Sequence, residues 1–201
     1  MKKILITTLW MCFFAQALWA QSPLSDGDRK KALEHLEMTQ SKLLESVKGL
    51  SEEQLNYKPA PEVWSIAEVV EHLAISETNI FALLQMSLEN EPDPSMRSEI
   101  KMSDDQIIGF ISTRDQKVKT RKEFEPTNQF GAYPGALKAF KDKRKANMKY
   151  VKKTDDDLRN RYADLPFGKI DAFQVILFMS GHTTRHIKQI EELKESSAFP
   201  S

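Results

Sequence analysis

His182 and His186 stand four residues apart in Gly181-His182-Thr183-Thr184-Arg185-His186. On a helix that spacing puts their Cβ atoms about 5–6 Å apart on one face, so both imidazoles can reach one metal ion. The spacing also suits two half-buried polar residues with no ligand role. His72, in Glu71-His72-Leu73, shifts the balance, because it lies one step beside the apolar stripe of another predicted helix, where a bundle aims side chains at the rim of its core. If the two helices are neighbours, three neutral imidazoles converge and leave a fourth position open to water or substrate, as in a catalytic zinc site. The remaining histidine, His35, falls with Thr39, Lys42 and Ser46 on what reads as a polar helix side and is expected to face solvent.

Other chemistries are narrowed by composition. Lys2 and Lys3 precede an apolar run from Ile4 to Ala20 that ends in Ala17-Leu18-Trp19-Ala20-Gln21, the pattern of a secretory signal peptide cleaved after Ala20. The run is broken by Thr7, Thr8 and Gln16 and falls short of the roughly 20 apolar residues a spanning helix needs, so no stable membrane span is expected after cleavage. An uncleaved anchor is the alternative. Residues 1–20 are thus read as leader and 21–201 as one exported, periplasmic domain. The only cysteine, Cys12, leaves with the leader, which excludes disulfides, cysteine-protease chemistry and thioredoxin chemistry. Trp10-Met11 are too large to precede a lipidated cysteine.

The 201 residues carry 29 basic and 29 acidic side chains, so no bulk field draws in nucleic acid. One local excess exists, in which Lys138, Lys141, Lys143, Arg144, Lys145, Lys149, Lys152 and Lys153 face a single acid, Asp142. A nucleic-acid groove or membrane-surface helix can look like this. The stronger reading is a solvated helix face, because Leu137, Phe140, Met148 and Val151 supply an inward stripe and Asp155 to Asp157 follow at once.

The elements that must position the histidines are nearly all helical, with apolar spacings of three and four and no alternating runs between turn pairs. A first helix begins at Ser25 and runs to about Val47, with Leu33, Leu36, Leu43, Leu44 and Val47 inward and Gly49 ending it. Ser51-Glu52-Glu53 opens one short turn, and Pro59 and Pro61 delay the next helix. Ser65 with Glu68 is a capping-box pattern that starts a second long helix, ending near Asn90. From Glu91 to Tyr133 a crossover holds one short helix near Asp104 to Ile111. Bundle connections are usually about 2–8 residues, so this one crosses a bundle end or serves as a lid. A third long helix runs from about Pro134 to Lys153, Thr154 with Asp155 to Asp157 starts a short one, and the fourth spans about Asp171 to Glu195. Its first half, Ala172 to Met179, is apolar all round except for Gln174 and should be central. The fold class is an all-α four-helix bundle with a long crossover between the second and third helices.

Val63-Trp64-Ser65-Ile66-Ala67-Glu68-Val69-Val70-Glu71-His72-Leu73, with Gly181-His182-Thr183-Thr184-Arg185-His186-Ile187-Lys188-Gln189-Ile190 and Phe167-Gly168 before the last helix, resembles the DinB-like superfamily, in its DinB_2 subgroup. The resemblance covers nearly the whole mature chain. It implies a four-helix bundle holding a divalent ion, zinc or nickel, on His72, His182 and His186. Relatives include thiol-dependent S-transferases and mycothiol-dependent maleylpyruvate isomerases, and the family name records DNA-damage induction without implying DNA binding.

Around these residues several roles stay open. Glu77 can orient a ligand or touch substrate, although it points about 140° from His72 and suits a flanking charge as well. Glu71 should face outward, and no HExxH base is present. Arg185 suits an acidic substrate group or helix carbonyls, and Gln189 suits an imidazole partner or simple packing. Trp64 reads as an anchor for its helix start, and Gly181 as a point of close helix approach.

Two functional classes remain. One is a metal-dependent enzyme on a small electrophile, in which the ion turns a low-molecular-weight thiol into thiolate for transfer, or water into hydroxide for hydrolysis. The other is a metal-binding stress-response module without catalysis. Export weighs against thiol transfer, since small thiols are concentrated in the cytoplasm. A pocket closed by Phe124, Phe130 and Tyr133 favours the enzyme, whereas a metal under packed side chains favours the module. A homodimer is compatible with either.

Overall fold

The computed structural model describes residues 23–115 and 119–201, so the expected leader, residues 1–20, lies outside the described residues. Side chains with hydrogen-bonding oxygens start most helices. Ser25 accepts from the Asp28 N–H at the head of α1 (Asp26–Ser46), and capping boxes open α2 (Glu52–Asn56), α3 (Ile66–Ser87) and α4 (Asp104–Ser112). In the α3 box the Ser65 Oγ accepts from Glu68 N at 3.2 Å while the Glu68 carboxylate accepts from Ser65 N at 2.7 Å. Pro134 sits in the first turn of α5 (Tyr133–Lys153), where its missing N–H costs nothing. Gly49, at φ 73°, reverses the chain after α1.

The stretch after α5 departs from the expected short helix. Asp156 Oδ2 accepts from the Thr154 hydroxyl at 2.6 Å and Asp157 Oδ1 accepts from Asn160 N at 3.2 Å, local bonds that compete with helical ones. The chain then forms an antiparallel hairpin, β1 (Tyr162–Leu165) and β2 (Gly168–Asp171), which pairs Tyr162 with Asp171 and Leu165 with Gly168. Strands of four residues, with Ala163 and Ile170 their only buried apolar side chains, are too short to show an alternating pattern. The hairpin delivers Asp171 as the buried cap of α6 (Ala172–Lys194), accepting from Gln174 N at 2.7 Å.

The four long helices α1, α3, α5 and α6 make the bundle expected from the sequence, and α4 lies along α6. Among the described residues no helix is long and apolar enough to cross a membrane. Gly181 makes the α4–α6 approach possible: a Cβ there would meet the Ile108 carbonyl oxygen at 3.2 Å and Ile111 Cβ at 3.2 Å. Gly181→Val should therefore cost about 1–3 kcal/mol in urea unfolding, and an unchanged midpoint would remove the close-approach reading.

The core is divided. One apolar cluster holds Leu36, Ile80, Leu84, Val151, Phe173 and Ile176, and a second holds Leu43, Leu73, Phe140 and Ile190. On every long helix the residues between them are polar and buried: Thr39, Ser76 with Glu77, Arg144 with Asn147, and Ser180 with Thr183. This layer corrects three expectations. Thr39 and Ser46 turn inward and not to solvent, Glu77 is 2% exposed, and Arg144 leaves the basic face altogether at 0% exposed. The lysines counted with it, from Lys138 to Lys153, do face solvent.

Candidate metal centre

His72 projects from α3, and His182 and His186 from α6, at the edge of the polar layer. Their Nε2 atoms form a near-equilateral triangle, with His72 3.2 Å from His182 and 3.1 Å from His186, and His182 3.2 Å from His186. Nitrogens about 2.0–2.1 Å from one zinc-like ion at near-tetrahedral angles stand about 3.1–3.4 Å apart. Among the described residues this is the one group of histidines and carboxylates close enough to hold an ion, and it contains no carboxylate.

The outer nitrogens decide what the inner ones are. His72 Nδ1 lies 2.7 Å from the Phe124 carbonyl oxygen, which can only accept, so the proton sits on Nδ1 and Nε2 is bare. His186 Nδ1 donates in the same way to Gln189 Oε1 at 2.9 Å. Two bare nitrogens 3.1 Å apart cannot hydrogen-bond to each other, and a cation between them resolves the clash of lone pairs. The three imidazoles are also kept neutral. Burial pushes His72 down to about 4 against an opposing pull from the Phe124 carbonyl. His182 lies well below the ordinary histidine range through burial first and then His72, Arg185 and Arg144, and His186 does so through burial and then His182, His72 and Arg114, against an opposing pull from Gln189. Neutral imidazole is the form that binds metal.

Aromatic rings wall the site. The Trp64 ring packs 4.9 Å from His72, so this residue is more than a helix anchor, and Phe178 stacks at 6.1 Å and 10° on His182. His72 and His186 are buried, while His182 is half-buried. Of the three crossover aromatics expected to close a pocket here, Phe124 reaches His72, with ring centroids 6.5 Å apart. Phe130 and Tyr133 pack instead against the second apolar cluster. Tyr133 also lines a groove of about 380 Å³ with Lys58, Glu68, Glu71 and Asn128, and none of the three histidines borders it.

The remaining candidates find definite partners. Glu71 is buried and not outward-facing, because the crossover folds over α3 and the Glu71 Oε1 accepts from Gln129 N at 2.7 Å and Thr127 N at 3.3 Å, beside Asn128 at φ 60°. Glu77 does not reach the imidazoles and instead pairs with Arg144 at 2.6 Å. Arg185 donates to the carbonyl of Thr113, the C-cap of α4. His35 is half-buried and stands apart from the three, its backbone carbonyl accepting from the Ser180 hydroxyl at 3.1 Å. The Phe124 carbonyl and the buried Arg144 are the parts that sequence reasoning missed. The backbone atom leaves no sequence signal, whereas Arg144 does, since it stands four residues after Phe140 and seven before Val151 in the inward stripe.

Comparison with known proteins agrees with this frame. A family model described as the DinB superfamily matches residues 35–190. The Bacillus subtilis (strain 168) protein YuaE, itself uncharacterised, is 28% identical over 152 residues, which span 74% of this chain and 88% of YuaE. Among solved structures, YfiT from Bacillus subtilis shares the fold with a TM-score of 0.55 and 21% identity over 85% of this chain and 87% of its own. YfiT is described as "a probable metal-dependent hydrolase with an unusual four-helix bundle topology".

Proposed function

The chain belongs to the DinB superfamily, and we propose that it is a metal-dependent hydrolase of a small molecule, with a divalent ion, zinc or nickel, held by His72, His182 and His186. The observation that carries this is the pair of bare Nε2 atoms on His72 and His186, 3.1 Å apart, with their protons held on the far side of each ring. When bound by three neutral imidazoles, a divalent cation supplies Lewis acidity that brings the pKa of water in a fourth position to about 7. The chain supplies the rest. The Phe124 carbonyl and Gln189 Oε1 hold the tautomers, Trp64 and Phe178 keep bulk water from two ring faces, and half-buried His182 leaves the approach for substrate. Neither Glu71 nor Glu77 is available as a base, because the crossover amides and Arg144 occupy them.

A small thiol in the same fourth position is the transferase form of this proposal. The leader reading of Lys2, Lys3 and the apolar run to Ala20 would carry the chain to a compartment where such thiols are scarce, and that reading supports water over thiol. One observation favours a second reading, a metal-binding module without catalysis: the groove of about 380 Å³ does not border the histidines.

Elemental analysis and activity assays separate these readings. About one zinc or nickel ion per chain is expected. His72→Ala, His182→Ala and His186→Ala should each lose it, while His35→Ala should keep it. Retention of metal by all of the first three would overturn the assignment. Turnover of activated aryl esters or amides without added thiol, abolished by a chelator and restored by metal, is the expected activity. Turnover only with thiol supports the transferase form, and stoichiometric metal without turnover supports the module.

A further inference from the structure

Gln189 has two chemically different ends, and only one of them suits the metal centre. If its amide NH2 faced His186 Nδ1, that nitrogen would become the acceptor, the ring proton would move to Nε2, and the nitrogen aimed at His72 and His182 would be blocked. His72 meets no such ambiguity, because its Nδ1 partner is the backbone carbonyl of Phe124, which cannot turn over.

The guanidinium of Arg114, on the crossover just after α4, resolves the choice for Gln189. Its Nη1 lies 3.3 Å from Gln189 Oε1, the same oxygen that accepts from His186 Nδ1 at 2.9 Å. Arginine has no acceptor, so the end of the amide that it meets must be oxygen. The guanidinium is itself held in plane by a two-pronged pair with Glu192, Nε to Oε1 and Nη2 to Oε2, both at 2.7 Å. That pair uses one edge of the fork and leaves Nη1 aimed at Gln189. On α6 the three partners follow at steps of three, His186, Gln189 and Glu192, so one guanidinium reaches along a single helix face. The Arg114 side chain is 18% exposed, which shields the chain of bonds from competing water.

We propose that Arg114 is a positioning residue for the metal centre: it fixes the orientation of the Gln189 amide and thereby keeps the His186 Nε2 lone pair free for the ion. The inference rests on the three-histidine reading and adds to it a residue from outside both histidine-bearing helices. It makes the crossover part of the centre, since that segment then sets the tautomers of both His72 and His186.

The test is a double-mutant comparison in the full chain, measuring the zinc dissociation constant against a competing chelator and the visible absorption of the cobalt-loaded protein. Glutamate at 189 presents oxygen whichever way it turns, so Gln189→Glu removes the need for an orienting donor. Arg114→Ala should weaken zinc binding about 10-fold or more and alter the cobalt spectrum. In the Gln189→Glu background the same Arg114→Ala change should cost less than about 3-fold and leave the cobalt spectrum unmoved. Equal losses in the two backgrounds would show that Arg114 serves only the structure, through Glu192, and would overturn the proposal. So would an Arg114→Ala protein that binds zinc as tightly as the wild type. A wild-type protein that takes up no zinc or cobalt fails at the three-histidine reading itself and takes this inference with it.

Discussion

Arg144→Ala is expected to destabilise the protein by about 3–5 kcal/mol, and Glu77→Ala by a similar amount, each measured as the shift in urea unfolding. The side chains are 0% and 2% exposed and meet at 2.6 Å, so removal of either leaves the other charge in a medium that cannot solvate it. All five guanidinium protons are used. Nε and Nη2 go to the Glu77 carboxylate at 3.0 and 2.6 Å, Nη2 also to the Thr183 hydroxyl at 2.8 Å, and Nη1 to the Leu36 carbonyl at 2.7 Å and Thr39 Oγ1 at 2.9 Å. One residue of α5 thereby ties α1, α3 and α6 together at mid-bundle. The decisive comparison is the double variant Arg144→Met/Glu77→Leu, which removes both charges and should be less damaging than either single change. It retains a cost of up to about 1–3 kcal/mol for the bonds it removes, among them the one from Asn147 Nδ2 to Glu77 Oε2 at 2.9 Å, although the same nitrogen keeps the Glu77 backbone carbonyl at 3.1 Å. Losses below about 1 kcal/mol in both single variants would mean that water reaches the pair and that the layer is not sealed.

That layer also marks where sequence reasoning reaches its limit. The bundle could be read because its signals are local: the caps at Ser25 and Ser65 and the apolar spacings that follow them each lie within one helix. The histidines could be read because HxxxH spacing puts two imidazoles on one face and the family motif supplies the third. Arg144 was hidden by its company, one cation among seven lysines, although its place in the Phe140–Val151 stripe differs from theirs. Glu77 was hidden by angle, since five residues from His72 turn it away from the metal but toward α5, a direction that no single helix reveals. Glu71 and Phe124 depend on how the crossover folds back over α3, where register is set by tertiary hydrogen bonds and not by periodicity. The hairpin before α6 was missed because each four-residue strand buries only one apolar residue, Ala163 or Ile170.

The metal-free protein should lose stability steeply as pH falls from about 6.5 toward 4, and the histidines of the centre should account for most of that loss. In the unfolded chain each takes up a proton near pH 6.5. In the folded chain burial holds all three neutral well below that, His72 down to about 4. Between those limits the unfolded state binds more protons than the folded one, so stability is full above about 6.5 and falls with acid. The slope reaches about 4 kcal/mol per pH unit when all three differ at once, and His72 alone accounts for roughly 3 kcal/mol across its window. Other groups do not mimic this. Burial raises Asp28 and Asp104, but the Arg159 guanidinium outweighs it and holds both below the ordinary carboxylate range, so their loss comes at lower pH. Asp171 is raised by burial and opposes the trend, since a raised carboxylate is relieved by acid. Urea midpoints at pH 7.5, 6 and 5 test the expectation, with His72→Gln predicted to flatten the dependence by about one proton. The metal-loaded protein should be more stable at pH 7.5 and converge on the metal-free curve by pH 5, because protons and ion compete for the same nitrogens. Midpoints that do not move between pH 7.5 and 5 would mean that the imidazoles take up protons in the folded state as readily as in the unfolded one, and a centre built from neutral histidines could not then stand.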